Sequence, residues 1–205
     1  MGFYNDFVLP WCIDVSCGMK ALRPERRRLA SDLHGTVLEV GFGSGLNLPF
    51  MPTAVTRVLA VEPSEGARRL AAKRVDEATC KVEFAGLDAQ RVQLDDAVAD
   101  CALSTFTLCT IPDAERALAE VKRILKPGGR LYVIEHGAAP DAGVARWQAR
   151  LNGFQRTIAG GCNLNRDIRA LLERAGFRAD KIDAGYFPQM PRTHGYLYAG
   201  SALSA

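Results

Sequence analysis

The sequence predicts an α/β fold, a doubly wound and mostly parallel seven-stranded sheet whose last strand runs antiparallel. Three observations carry that expectation. Five short, almost uninterrupted apolar runs read as strands covered on both faces. Helical stripes of apolar residues alternate with them. The first run enters a glycine-rich turn, Glu39-x-Gly41-x-Gly43-x-Gly45, and the second ends on the acidic Glu62.

The chain has 205 residues, enough for one domain with a substantial core and short for two. Its 48% hydrophobic and 24% charged content are those of a globular protein and exclude a disordered or fibrous class. We expect residues 1–34 to form a helical extension or lid ahead of a single domain over 35–205. In that extension Phe3, Tyr4, Phe7, Val8, Trp11, Ile13 and Val15 are interrupted by Asp6, Pro10 and Asp14, too often for a membrane anchor. No basic region precedes the apolar part, which argues against a secretory signal and for a cytoplasmic chain. No apolar run approaches the length of a bilayer span, so peripheral contact is the one membrane role left open. Lys20, Arg23, Arg26, Arg27 and Arg28 form a basic cluster that reads as a solvated helix face. With a net charge of only +3, nothing points to a nucleic-acid partner. No oligomeric state follows from the sequence.

The strands are expected at Thr36–Val40, Arg57–Val61, Val82–Ala85, Ala99–Ser104 and Arg130–Glu135. The helix Glu65–Ala78 buries Ala67, Leu70, Ala71 and Val75, and Asp113–Leu125 buries Ala117, Leu118, Val121, Ile124 and Leu125. Thr110 and Asp113 resemble a capping arrangement, and Lys126-Pro127-Gly128-Gly129 stops that helix. A long excursion from Gly137 to Asn165 follows, with Ala145–Phe154 helical. A further helix, Arg166–Ala175, ends at Gly176. Two final strands, near Lys181–Tyr186 and His194–Ser201, close the sheet as an antiparallel pair.

Cys12, Cys17, Cys80, Cys101, Cys109 and Cys162 show no C-x-x-C and no Cys/His ladder. In a reducing compartment they are expected as free thiols, with Cys101 and Cys109 buried in packing and Cys12, Cys17 and Cys162 outside the core. No metal site is expected from this spacing.

The alternating glycines differ from the dinucleotide fingerprint, in which the third glycine falls three residues after the second. They let the backbone pass close beneath a bulky ligand. Glu62 lies where a carboxylate accepts hydrogen bonds from both ribose hydroxyls of a nucleoside, and Pro63 ends the strand there.

This pattern resembles the class I S-adenosylmethionine-dependent methyltransferases, with their Rossmann-like sheet. The resemblance continues through Val82 to Gln90, Ala99 to Phe106, and Leu125-Lys126-Pro127-Gly128-Gly129-Arg130. It implies S-adenosyl-L-methionine as cofactor. Glu39, Gly41, Gly43, Gly45 and Asn47 then surround the methionine portion, helped by the dipole of a following helix. Glu62 and Pro63 lie at the ribose, and Asp88 and Ala89 at the adenine. Thr105 and Phe106 pass beneath the sulfonium, where an aromatic face suits a cation. His136, closing the fifth strand beside Glu135, is the candidate general base; His194 and Tyr196 are weaker ones.

From Glu135 onward the chain is similar to a narrower branch, the alkyl-thiol methyltransferases and their bacterial relatives. The shared features are Glu135-His136, Arg146-Trp147-Gln148, Gly161-Cys162-Asn163-Leu164-Asn165-Arg166 and Arg192 to Tyr196. The branch implies a small-molecule methyl acceptor, a thiol, which ionises near neutral pH with modest help. The apolar residues of the extension and of 140–165 would cap its pocket. Alternatives are methylation of a quinone precursor or lipid, methylation of arsenic, a nicotinamide-dependent oxidoreductase, and a non-catalytic module that binds S-adenosylmethionine.

Overall fold

The computed structural model describes residues 2–204. A π-helical turn, Tyr4–Val8, leads into α1 (Leu9–Cys17), a 3-10 turn at Lys20–Leu22, and α2 (Arg23–Ala30), which carries Pro24 in its first turn where the missing N–H goes unneeded. The chain then alternates through β1 (Gly35–Val40), β2 (Val55–Val61), α3 (Glu65–Asp76), β3 (Lys81–Gly86), β4 (Ala99–Thr105), α4 (Ala114–Ile124) and β5 (Leu125–His136). Helices α5 (Ala142–Ile158) and α6 (Ile168–Arg174) precede β6 (Phe177–Tyr186) and β7 (Tyr196–Ser204).

One seven-stranded sheet runs in the order β3-β2-β1-β4-β5-β7-β6. Strands β1 to β5 are parallel, and β7 is antiparallel to both β5 and β6. The strand order reverses between β1 and β4, so a crevice opens above their carboxyl ends. Strict alternation sorts the side chains onto two faces. Leu38 and Val40 of β1 join Leu118, Val121 and Leu171 on the α4 and α6 side. Val37 packs with Leu22, Leu29 and Ala71 on the α2 and α3 side. Burial on both faces is why β1, β2 and β4 read as continuous apolar runs rather than as alternating ones; β3, at the sheet edge, has no fully buried residue, and its Phe84 is exposed.

Several boundaries differ from expectation for local reasons. Asp113, not Thr110, caps α4, its Oδ1 accepting from Arg116 N at 3.0 Å; the Thr110 hydroxyl donates instead to Thr107 O. Strand β6 begins at Phe177 rather than near Lys181, because a register shift between Arg178 and Lys181 breaks its period-two pattern. Helix α5 extends beyond 145–154 at both ends, its interior Gly143 and Gly153 having weakened the helical signal. No helix follows the glycine turn. Only a 3-10 turn, Leu48–Phe50, forms there, because Pro49 and Pro52 deny a longer helix its backbone donors. Among the described residues no helix is long and apolar enough to cross a membrane.

Candidate functional site

A cleft of about 1100 Å³ lies over the carboxyl ends of β1, β2 and β4. Its lining includes Gly41, Gly43, Asn47, Glu62, Pro63, Asp88, Ala89, Thr105 and Phe106, so the structure brings together most of the residues singled out in the sequence. At Gly41 the backbone is left-handed (φ +71°), and a Cβ there would fall 2.0 Å from the Thr107 hydroxyl. At Gly43 (φ +58°) the nearest heavy atom to such a Cβ is 3.9 Å away, so a side chain would project into open cleft. Gly45 turns the chain just behind, between Phe42 and Leu48.

Glu62 immediately follows β2 and is 6% exposed. Its Oε2 accepts from Gly43 N at 2.7 Å and its Oε1 from Ser64 N at 2.8 Å. Burial pushes its carboxyl up, and these backbone donors pull it back. The two amides fix the carboxylate's orientation while each oxygen keeps a further lone pair for a ligand. Asp88 stands at the rim, its Oδ1 held by Gln90 N and Nε2 at 2.9 and 3.0 Å, and these donors lower its carboxyl below the usual range. Gln90 reaches on to Asp113 N with its own Oε1.

The inner wall holds a residue that sequence reasoning misplaced. Arg26 is not on a solvated face; it is 4% exposed. Its Nη1 donates to Asn47 Oδ1 and to Thr105 Oγ1 (3.2 Å), and its Nη2 to Cys17 O (3.0 Å). The guanidinium lies 5.9 Å from the Phe106 ring centroid. Asn47 Nδ2 in turn donates to Glu39 Oε1 (2.7 Å) and Thr105 Oγ1 (3.1 Å). The signal was present. Leu22, Arg26, Leu29, Ala30 and Leu33 recur at helical spacing, and all are buried, so Arg26 sits on the inward stripe of α2. Burial lowers its guanidinium, and Cys17 and Glu39 oppose that.

Glu39 is one layer behind the cleft wall, where it positions Asn47 rather than facing the open space. It is fully enclosed, its Oε2 has no partner, and burial lifts its carboxyl to about 7 despite Asn47 and Arg26. Phe106 occupies left-handed backbone (φ +55°), rare for a bulky residue, and its N–H donates to Ile134 O at 2.8 Å. Glu135 shapes this loop from below. Its Oε1 accepts from Ser104 Oγ, Thr107 N and Leu108 N at 2.9 to 3.0 Å.

His136 is not on the cleft surface. It is buried behind Phe106, with ring centroids 6.5 Å apart, and its Nε2 lies 2.9 Å from Cys162 Sγ. In this structure its ring therefore has no open face on the cleft. Cys162, expected outside the core, is buried and stands 3.7 Å from Cys109 Sγ. The Cys109 contact and then the His136 ring hold the Cys162 thiol down to about 4, while that contact and burial push Cys109 well up. For His136 burial disfavours the charged ring, and Cys162 and Glu135 more than offset it. The absence of a C-x-x-C had given no hint of this grouping.

The remaining motifs knit the walls together. Gln148 accepts from Ala139 N (3.0 Å) and donates to Gly137 O (2.9 Å) and Thr193 O (3.1 Å), joining three of them. Tyr4 OH donates to Ile158 O at 2.6 Å, bringing the N-terminal turn against the end of α5. Asp14 Oδ1 receives Ser44 Oγ (2.5 Å) and Arg74 Nη1 (2.9 Å), fastening α1 to the glycine turn.

Comparison with known proteins now bears on this geometry. A methyltransferase-domain family model matches residues 38–133. The human thiol S-methyltransferase TMT1A is 33% identical over 172 residues, covering 80% of this chain and 70% of its own. This chain belongs to the class I S-adenosylmethionine-dependent methyltransferases. A phosphatidylethanolamine N-methyltransferase of Cereibacter sphaeroides is 30% identical over 154 residues, 72% of this chain and 75% of that protein. Among solved structures, an S-adenosylmethionine-dependent methyltransferase of Thermotoga maritima superposes with a TM-score of 0.68 at 22% identity, covering 98% of each chain. Membership makes S-adenosyl-L-methionine the cofactor of this methyltransferase. The residues present fit it: bare backbone at Gly43 facing open space, an oriented carboxylate at Glu62, and a buried guanidinium on the inner wall.

Proposed function

We propose that this methyltransferase transfers the methyl group to the sulfur of a small apolar thiol in a reducing, cytoplasmic setting. The bound cofactor supplies an electrophilic methyl on a sulfonium. Glu62 would hold the ribose, the Asp88 to Gln90 turn the adenine, and Arg26 with Asn47 the carboxylate of the methionine portion. Phe106 and the Thr105 carbonyl would lie beside the sulfonium.

The observation that carries the thiol reading is the lack of any histidine or lysine along the cleft among the described residues. The ionisable bases along these walls are carboxylates (Asp6, Glu62, Glu65 and Asp88), which suit an acceptor that ionises largely by itself, as a thiol with a pKa near ~8.5 does. Leu9, Pro10, Ile13, Phe106, Ile111 and Ala159 give the remaining lining an apolar character suited to a small hydrophobic acceptor. The match to thiol S-methyltransferases supports the same reading. Six free cysteines suit a reducing compartment.

The test is transfer of a labelled methyl group from S-adenosylmethionine across a panel of alkyl and aryl thiols, a quinol and phosphatidylethanolamine. The label should appear in thioether, with a rate rising about tenfold per pH unit below the acceptor's own pKa as thiolate accumulates. Labelling confined to the quinol or the lipid would replace the thiol reading. Lipid is the reading favoured by the exposed Phe3, Phe7 and Trp11 and by the phosphatidylethanolamine relative. At the rim, Asp88→Ala should weaken S-adenosylhomocysteine binding no more than about tenfold by calorimetry, because an exposed carboxylate contributes roughly one charge-assisted hydrogen bond screened by water.

A further inference from the structure

Beneath Phe106, outside the cleft, Cys109, His136 and Cys162 meet in a buried cluster whose three ligand atoms all lie within 4.8 Å of one another. They come from three separate places: the loop after β4, the end of β5, and the turn after α5. We propose that this cluster is a thiophilic metal site, taking one Zn²⁺ through Cys109 Sγ, Cys162 Sγ and His136 Nε2, with a fourth position left for a small exogenous ligand.

The geometry is close to what zinc requires. Tetrahedral angles with Zn–S near ~2.3 Å place two sulfurs about 3.8 Å apart. The two sulfurs here are 3.7 Å apart. The same rule with Zn–N near ~2.0 Å puts nitrogen and sulfur about 3.5 Å apart. His136 Nε2 and Cys162 Sγ are at 2.9 Å, so the ring has to withdraw by a fraction of an ångström. No hydrogen bond at the ring's far edge opposes that shift. Its other nitrogen, Nδ1, is buried without a hydrogen-bond partner, so only packing holds that edge.

The charge balance also suits the place. Two thiolates and a neutral imidazole around Zn²⁺ sum to zero, which a layer this enclosed tolerates far better than an isolated ion. The neighbouring Glu135 Oε2 is a second buried polar atom without a partner, and it adds negative potential beside the cluster. Binding proceeds by loss to solvent of the Cys109 thiol proton and of the proton held between His136 Nε2 and Cys162 Sγ, with no redox step. Three protein ligands rather than four make an open site of the kind that keeps an exchangeable position.

The test uses the full chain, reduced and freed of metal, titrated with Co²⁺ and then Zn²⁺. We expect one Co²⁺ per chain with an intense thiolate-to-cobalt absorption, displaced by Zn²⁺. Cys109→Ser and Cys162→Ser should each weaken binding by more than about 100-fold, beyond what loss of an outer-shell partner causes. Cys12→Ser and Cys80→Ser should leave the absorption unchanged. If the first two variants fail to fold, zinc-edge X-ray absorption on the wild-type chain decides, with two sulfurs near ~2.3 Å and one nitrogen near ~2.0 Å expected. A reduced chain that shows no thiolate absorption, variants that bind as the wild type does, or zinc surrounded only by nitrogen and oxygen overturns the proposal. None of these outcomes depends on the identity of the methyl acceptor.

Discussion

Replacing Glu62 by alanine is expected to weaken S-adenosylhomocysteine binding by about 100-fold or more, read by calorimetric titration. The carboxylate is already oriented by Gly43 N and Ser64 N, so on the proposed reading it would meet a ribose without reorganising. Two hydrogen bonds to a charged acceptor contribute roughly 1.5 kcal/mol or more each, and ~1.4 kcal/mol is a factor of ten in affinity. The alanine removes both and lets water reach the two amides, so the fold survives while the affinity falls. Glu62→Gln keeps one acceptor oxygen and should fall between, about tenfold weaker. Unchanged affinity in the alanine variant would mean that the ribose is held elsewhere, and the assignment of this cleft would fail with it.

The second large effect concerns Glu39. Its folded carboxyl titrates at about 7 against 4.5 in the unfolded chain, chiefly because burial disfavours its charge. Between those values the folded state binds the extra proton, so stability is complete below pH 4.5 and declines as the pH rises through 7. A shift of this size amounts to about 3 kcal/mol at ~1.36 kcal/mol per unit. Glu39→Gln keeps the acceptor for Asn47 and has nothing to ionise. In ligand-free protein, the variant should match the wild type below pH 4.5 and exceed it by about 3 kcal/mol at pH 8, measured by denaturant unfolding. Comparing the two chains cancels the slopes due to Glu62 and Glu135, which burial also lifts. Parallel stability curves would show that Glu39 is charged in the folded chain throughout.

What was legible in the sequence was whatever is encoded locally. A strand buried on both faces, a turn that only glycine can make, and an acid at the next strand's end each leave a mark within a few residues. The course of the sheet and the placing of Gly41, Gly43, Glu62 and Asp88 followed from such marks. Arg26 was hard to read because it lies within a run of basic residues, although Leu22, Leu29 and Leu33 mark its side of the helix as inward. The burial of His136 was not legible for a different reason. Its place at the end of β5 gives height along the sheet, and the local sequence does not say that Phe106 lies between it and the cleft. The grouping of Cys109 with Cys162 was invisible, because loops far apart in sequence become neighbours only once the sheet has formed. The missing helix after Gly45 was foreseeable from Pro49 and Pro52, which the family resemblance outweighed.

The reach of Arg26 into the inner wall has one more consequence. The matched methyltransferase region begins at residue 38, whereas the guanidinium that supports Asn47 and Thr105 arrives from upstream of it. Residues 38–133 therefore hold Glu62 and Asn47 but not the cation that Asn47 Oδ1 and Thr105 Oγ1 accept from. On the proposed reading, donor recognition would be shared between two stretches of chain, with the guanidinium on one and the carboxylate of Glu62 on the other.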